Sequence, residues 1–180
     1  MNTISNELGG KLTEDEKQKQ NIQCSTRVAL PGIIQSFDPV TQTVTVQPAI
    51  NEIVYNQNGL PTHLPLPVLL DVPIVIPRAG DYVITLPIRK GDECLVIFAD
   101  MCIDAWWQNG GMQNQIEQRR HDLSDGFAIL GTWSQPNRLS GYSTDKMKLL
   151  NVKTGTGIEI SDGTVNIIGR LTVNGQVIGG

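Results

Sequence analysis

The stretch "RRHDLSDG", residues 119–126, holds the ingredients of an acid–base catalyst: the imidazole of His121 beside the carboxyls of Asp122 and Asp125. Residues adjacent in sequence point different ways on most backbones, however, and no Ser or Cys nucleophile stands near them in a recognisable motif. Turn capping and hydrogen bonding are the expected roles of these side chains. Asp100 and Asp104 are spaced to share one helix face, as a carboxylate pair in a glycosidase would. N-capping by Asp100 and solvation of Asp104 account for the spacing without chemistry. Trp106 and Trp107 offer stacking surfaces for bases or sugars. No basic residues are interleaved with them, so one is expected in the core and the other at an interface. His63 and His121 are the only histidines, too few for the three or four ligands of a metal site, and His63 reads as a surface residue in a proline-rich loop. Gly155 and Gly157 lack the strand and helix that a phosphate-binding loop needs. The sequence therefore assigns no catalytic, cofactor-binding or metal-ligating residue, implies no cofactor, and reads as a non-enzymatic protein.

The elements around these residues are mostly short strands. Nine of the ten prolines fall between Pro31 and Pro87, where they punctuate apolar runs and exclude long helices. "IIQSF", "TVTVQPAI", "EIVY", "VPIVIP", "DYVITLP" and "ECLVIFA" read as strands separated by turn sequences, with Val44 and Val46 in the period-two pattern of a half-buried strand. "GFAILGTW" adds one more. "DMCIDAWWQNG" between them predicts a short helix stopped at Gly110 and Gly111. Many short strands joined by tight turns predict a small closed barrel. Residues 1–26 are polar and charged, and Thr13 followed by Glu16 predicts a capped helix over about 14–24. With Leu12, Ile22 and Cys24 as its main apolar residues, that helix would dock on a neighbouring protein rather than on its own barrel.

Charge and cysteine usage exclude several function classes. The formal net charge of -4 argues against a partner held through phosphates. Cys24, Cys94 and Cys102 form no C-x-x-C pair and cannot all be bridged within one chain. The start of the chain lacks the apolar core of a signal peptide, and no run reaches the roughly 20 apolar residues of a membrane span. Synthesis as a soluble protein in a reducing cytoplasm is expected.

The last residues, "GIEISDGTVNIIGRLTVNGQVIGG", place a glycine at every sixth position, Gly157, Gly163, Gly169 and Gly175, with apolar residues between. Exposed β segments so poor in charge invite pairing with other chains. Pairing is then their expected purpose.

The segment "TRVALPGIIQSFDPVTQTVTVQPAI", followed in order by "VPIVIP", "LPIRKGDECLVIF", "DAWW" and "RRHDLSDGFAILG", resembles the N-terminal OB-fold domain of the short central spike proteins of contractile bacteriophage tails. The resemblance covers about residues 26–133. It implies a mainly β protein: an OB-fold barrel over 27–133, preceded by the polar segment 1–26 and followed by a linker, 134–145. A needle segment, 146–180, would be intertwined in a homotrimer as a triple-stranded β-helix. Three chains would satisfy one another's strand edges, since four six-residue repeats are too few for a solenoid of one chain. Ile158, Ile160, Val165, Ile167, Leu171 and Val173 would form the needle core, with the repeated glycines at the corners of the prism.

The function implied is mechanical: a baseplate spike in the virion tail that helps to puncture the host envelope when the sheath contracts, with baseplate hub and tail-tube proteins as partners. Some short spikes carry a histidine pair for an iron ion at the apex, but no His or Cys follows His121 here. A separate capping protein touching Val177, Ile178 and Gly180 is expected instead. Two other readings stand beside this one: a single-stranded nucleic-acid-binding OB module, disfavoured by the acidic charge, and an envelope-degrading tail enzyme, disfavoured by the missing catalytic constellation.

Overall fold

The computed structural model describes residues 26–178, so the helix expected over 14–24 and the expected contact residue Gly180 lie outside the described residues. The chain divides after Ser134 into two compact units.

In the first unit, β1 (Ala29–Asp38) and β2 (Thr43–Pro48) form a hairpin, and β3 (Glu52–Tyr55) with β4 (Pro61–Leu64) forms an exposed second hairpin. After β5 (Leu69–Val75) come the two-residue strands β6 (Arg78–Ala79) and β7 (Tyr82–Val83), then β8 (Glu93–Phe98), helix α1 (Asp104–Asn109) and β9 (Gly126–Leu130). Strands β1-β2-β5-β9-β8 close into a barrel. All neighbours are antiparallel except β5 and β9, which run parallel. Five strands in this Greek-key order are the architecture of OB-type barrels. Register shifts between Ile34 and Ser36 in β1 and between Val44 and Val46 in β2 mark irregularities, and such bulges supply the bend that closure of so small a barrel needs.

Alternation along these strands puts Ile34, Val44, Val46, Val72, Val96 and Ala128 inside, each almost fully buried, with Leu69, Cys94 and Phe98 completing the core. Burial also pushes the Cys94 thiol up to about 11, so at neutral pH it is a small apolar filler rather than a nucleophile. Two readings of the sequence are corrected here. "DYVITLP" pairs only at Tyr82 and Val83, and the stretch after it carries no ladder. His63 lies not in a loop but in β4, opposite Ile53.

The second unit starts with a single 3-10 turn, Gln135–Asn137. Strands β10 (Met147–Leu150), β11 (Gly157–Ser161) and β12 (Thr164–Ile168) follow as a three-stranded antiparallel meander, and β13 (Thr172–Val173) with β14 (Gln176–Val177) closes a short hairpin. Within one chain, then, the described part of the repeat folds as hairpins. Asn174 and Gly175 form the two-residue turn of the last hairpin, both with positive φ (50° and 80°), the type I′ geometry that Asn-Gly favours. Gly157 serves differently. It has no positive φ, but a Cβ there would strike the carbonyl of Leu149 and the backbone of Leu150 on the neighbouring strand.

Candidate functional site

Asp100, Asp104, Trp106, Trp107, His121, Asp122 and Asp125 all lie in the excursion between β8 and β9. Asp125 is fully buried. Its carboxylate accepts hydrogen bonds from Arg119 Nε (2.7 Å), Arg119 Nη2 (3.1 Å) and the Ile103 amide (2.9 Å). Arg119 also donates to Asp104 Oδ2 at 2.6 Å and to Glu117 Oε2 at 2.7 Å. These bonds, that to Asp125 first and that to Asp104 next, raise the guanidinium pKa still further. A buried carboxylate held in this way is a fixed charge pair, and both of its oxygens are taken. The ligand atoms of Cys102, Asp104 and Asp125 lie within 4.8 Å of one another, but a cation, the Arg119 guanidinium, already occupies both carboxylates.

His121 has a φ of 48°, and its Nε2 lies 3.3 Å from Asp100 Oδ1. Its Nδ1 is buried without a hydrogen-bond partner. Asp122 caps its own turn, accepting from the Ser124 amide (2.9 Å) and hydroxyl. Those two bonds hold its carboxyl below the usual range. The expected turn and hydrogen-bonding roles describe His121, Asp122 and Asp125, whereas the carboxylate pair is corrected. Asp100 does not cap α1: Ile103 occupies the N-cap position, and Asp100 pairs with Arg120 at 2.7 Å. Asp104 is not simply solvated, since Arg119 holds it. The tryptophans are corrected as well. Neither is in the core, although Trp106 meets Phe127 edge to face at 5.9 Å. Arg119, the hub of the cluster, went unnoticed in the sequence because its partners lie on separate segments.

The arrangement with the clearest functional content is in the second unit. The ladders put Leu149, Ile158 and Ile167 directly opposite one another, and next to them Met147, Ile160 and Val165. Residues paired across an antiparallel sheet share a face, so these six side chains form one wholly apolar face across three strands. All six are exposed, Val165 by 65%.

The other face carries Lys148, Glu159 and Asn166 side by side. Lys148 Nζ and Lys146 Nζ approach Glu159 at 3.2 and 3.4 Å. Lys148 above all, with Lys146 adding to it, holds the Glu159 carboxyl below its ordinary value against the opposing effect of burial. Ile158, Ile160, Val165 and Ile167 are thus brought together. Met147 and Leu149, which the sequence reading missed, complete their face from outside the glycine repeat.

Leu171 and Val173 stand apart on the β13–β14 hairpin. There the Ile178 amide donates to the Leu171 carbonyl at 3.0 Å, and Thr172 pairs with Val177. Leu171, Val173 and Ile178 therefore share one face, and Val177 lies on the other with Thr172. Val177 and Ile178 do not point the same way.

Residues 30–131, more than half of the chain, match the model of the family described as phage protein Gp138 N-terminal domain. None of the curated proteins matches the chain.

Proposed function

Because the chain belongs to the phage protein Gp138 N-terminal domain family, a family of phage proteins, we propose that it is a structural component of the virion: the central spike of a contractile tail baseplate. In this reading three copies join through their C-terminal units into a needle, and sheath contraction drives the needle against the host envelope.

One observation carries the proposal. Among the described residues of its own unit nothing covers the apolar face formed by Met147, Leu149, Ile158, Ile160, Val165 and Ile167, while the opposite face, which also holds Leu150 and Ile168, carries the ion-paired Lys148 and Glu159. A monomer rarely leaves such a face to water. Covering it with the same face of two further copies removes apolar area worth roughly 25 cal/mol per Å². Winding the copies about a common axis would also satisfy the outer edges of β10 and β12.

In this reading the role is mechanical: among the described residues, the acid–base cluster around Asp125 is taken up in bonds to Arg119 and the Ile103 amide. The baseplate hub and tail-tube proteins are the neighbours at the other end of the spike. A separate cap would meet the needle end, where Leu171, Val173 and Ile178 form an apolar corner and Val177 contacts the cap from the opposite face.

The native mass of the full chain tests the reading. Three times the 19.7 kDa of one chain is expected, and a monomer at micromolar concentration would overturn it. Particles made without the protein should contract their sheaths yet fail to breach the host envelope.

A further inference from the structure

The turn between β1 and β2 and the small hairpin β6–β7 come together at the end of β5. Gln42 closes the turn, and its carbonyl accepts from the Ile74 amide at 3.2 Å. Beyond β5, Arg78 and Ala79 pair with Val83 and Tyr82 across the two residues Gly80 and Asp81. Gly80 has a φ of 53°, and glycine at the first place of such a turn is what type II′ hairpins favour. The Ile84 amide donates to the Pro77 carbonyl at 3.0 Å and ties the base of the hairpin.

Between turn and hairpin lies a pocket of about 370 Å³, with Gln42, Ile76, Arg78, Asp81, Tyr82 and Thr85 in its wall. Small-ligand sites run to roughly 300–1,000 Å³. The Tyr82 ring is 85% exposed, and the half-buried Ile76 gives the pocket an apolar side. Among the described residues, no hydrogen bond or ion pair engages the side chains of Gln42, Arg78, Asp81 or Tyr82. Arg78 and Asp81 thus share a pocket without pairing with each other, unlike the Arg119 and Asp125 side chains across the barrel's other excursion.

We infer that this pocket binds a sugar residue, an uncharged hexopyranose with neighbouring hydroxyls. A pyranose has an apolar C–H face and a polar rim. The first suits the exposed face of Tyr82, a ring with an apolar body and a polar tip. The rim suits three planar groups: the Asp81 carboxylate accepts at two oxygens, the Arg78 guanidinium donates from a fixed fork, and the Gln42 amide does one of each. The opposite charges of Arg78 and Asp81 favour a neutral ligand, because an anion would meet Asp81 and a cation Arg78. A nucleotide base would also stack on tyrosine, but its phosphate would face Asp81 in a chain of net charge -4. The pocket lies within the barrel of one chain and does not depend on the homotrimer reading.

The test uses the full chain with free glucose, galactose, mannose and N-acetylglucosamine, each at about 10 mM. Saturation-transfer NMR should mark the ring C–H protons of at least one of these sugars. Tyr82→Ala should weaken that binding by at least about tenfold, and Arg78→Met and Asp81→Asn by about tenfold each. Tyr142→Ala, which removes an exposed tyrosine from the second unit, should leave it unchanged. No transfer to any of the four sugars from the wild type overturns the inference, and this measurement needs no variant to fold. Binding that survives Tyr82→Ala overturns it too, since the sugar then sits elsewhere. So does displacement of the sugar by oligothymidylate, which would make the pocket a nucleic-acid site.

Discussion

The two units solve the same problem in opposite ways. In the barrel, five strands curl until the sheet meets itself, and Ile34, Val46 and Val96 vanish from solvent within a single chain. In the C-terminal unit, three strands of similar length stay open, and Ile158, Ile160 and Ile167 remain exposed. The alternation is equally regular in both. What separates them is closure: a barrel covers its own apolar face, whereas an open three-stranded meander needs a second layer. The difference shows that an apolar pattern predicts burial without saying whose chain does the burying.

Charge on the open face should break this contrast most severely. In the homotrimer proposed above, Ile160→Asp would put an unpaired carboxylate from each copy into the shared core, a penalty of several kcal/mol per copy. Light scattering should find monomers, while Asn166→Asp on the polar face leaves the oligomer intact. In the barrel the comparable injury is internal. Asp125→Asn leaves Arg119 without its buried counter-charge and should cost about 3–5 kcal/mol of unfolding free energy, read from denaturant melts, with subunit association retained. Ile34→Val removes one methylene from the barrel core and should cost about 0.5–1.5 kcal/mol, again without effect on association.

The smallest effect concerns acid. The Glu159 carboxyl is depressed by Lys148 and Lys146, so it contributes stability that is present above its ordinary value of 4.5 and lost as pH falls through the lower, folded-state value. Thermal melts of wild type should therefore decline below pH 4.5, and Glu159→Gln should decline less. Identical acid profiles for the two would show that the polar face adds nothing to the meander.

Much of the barrel was legible because period two and proline punctuation are local signals. "TVTVQP", "ECLVIF" and "GFAIL" each announce a strand in their own residues. "PTHL" did not, because its partner Ile53 decides the matter and two prolines argue against a ladder. The asymmetry of the C-terminal sheet was half legible. The repeat pointed to Ile158, Ile160, Val165 and Ile167, but their register with Met147 and Leu149 depends on how the loop around Asn151 turns the chain back. Val177 and Ile178 are both apolar, but neighbours on a strand must part to opposite faces. Arg119 was hidden for a further reason: a cation shared by carboxylates on separate segments leaves no spacing to find.

The joints that close the barrel have a consequence in time. β1 reaches β8, and β5 reaches β9, only across long intervening stretches of chain, and pairings of that kind form slowly. The meander β10–β12 joins strands that are near neighbours in sequence, and hairpins of this sort form within about 1–10 μs. In a chain diluted out of denaturant, the adhesive sheet is therefore complete while the barrel is still open. Encounter between chains then competes with the slow closure of each, and crowded refolding traps copies together before their barrels have shut. The yield of native protein should accordingly fall as the concentration of chains during refolding rises.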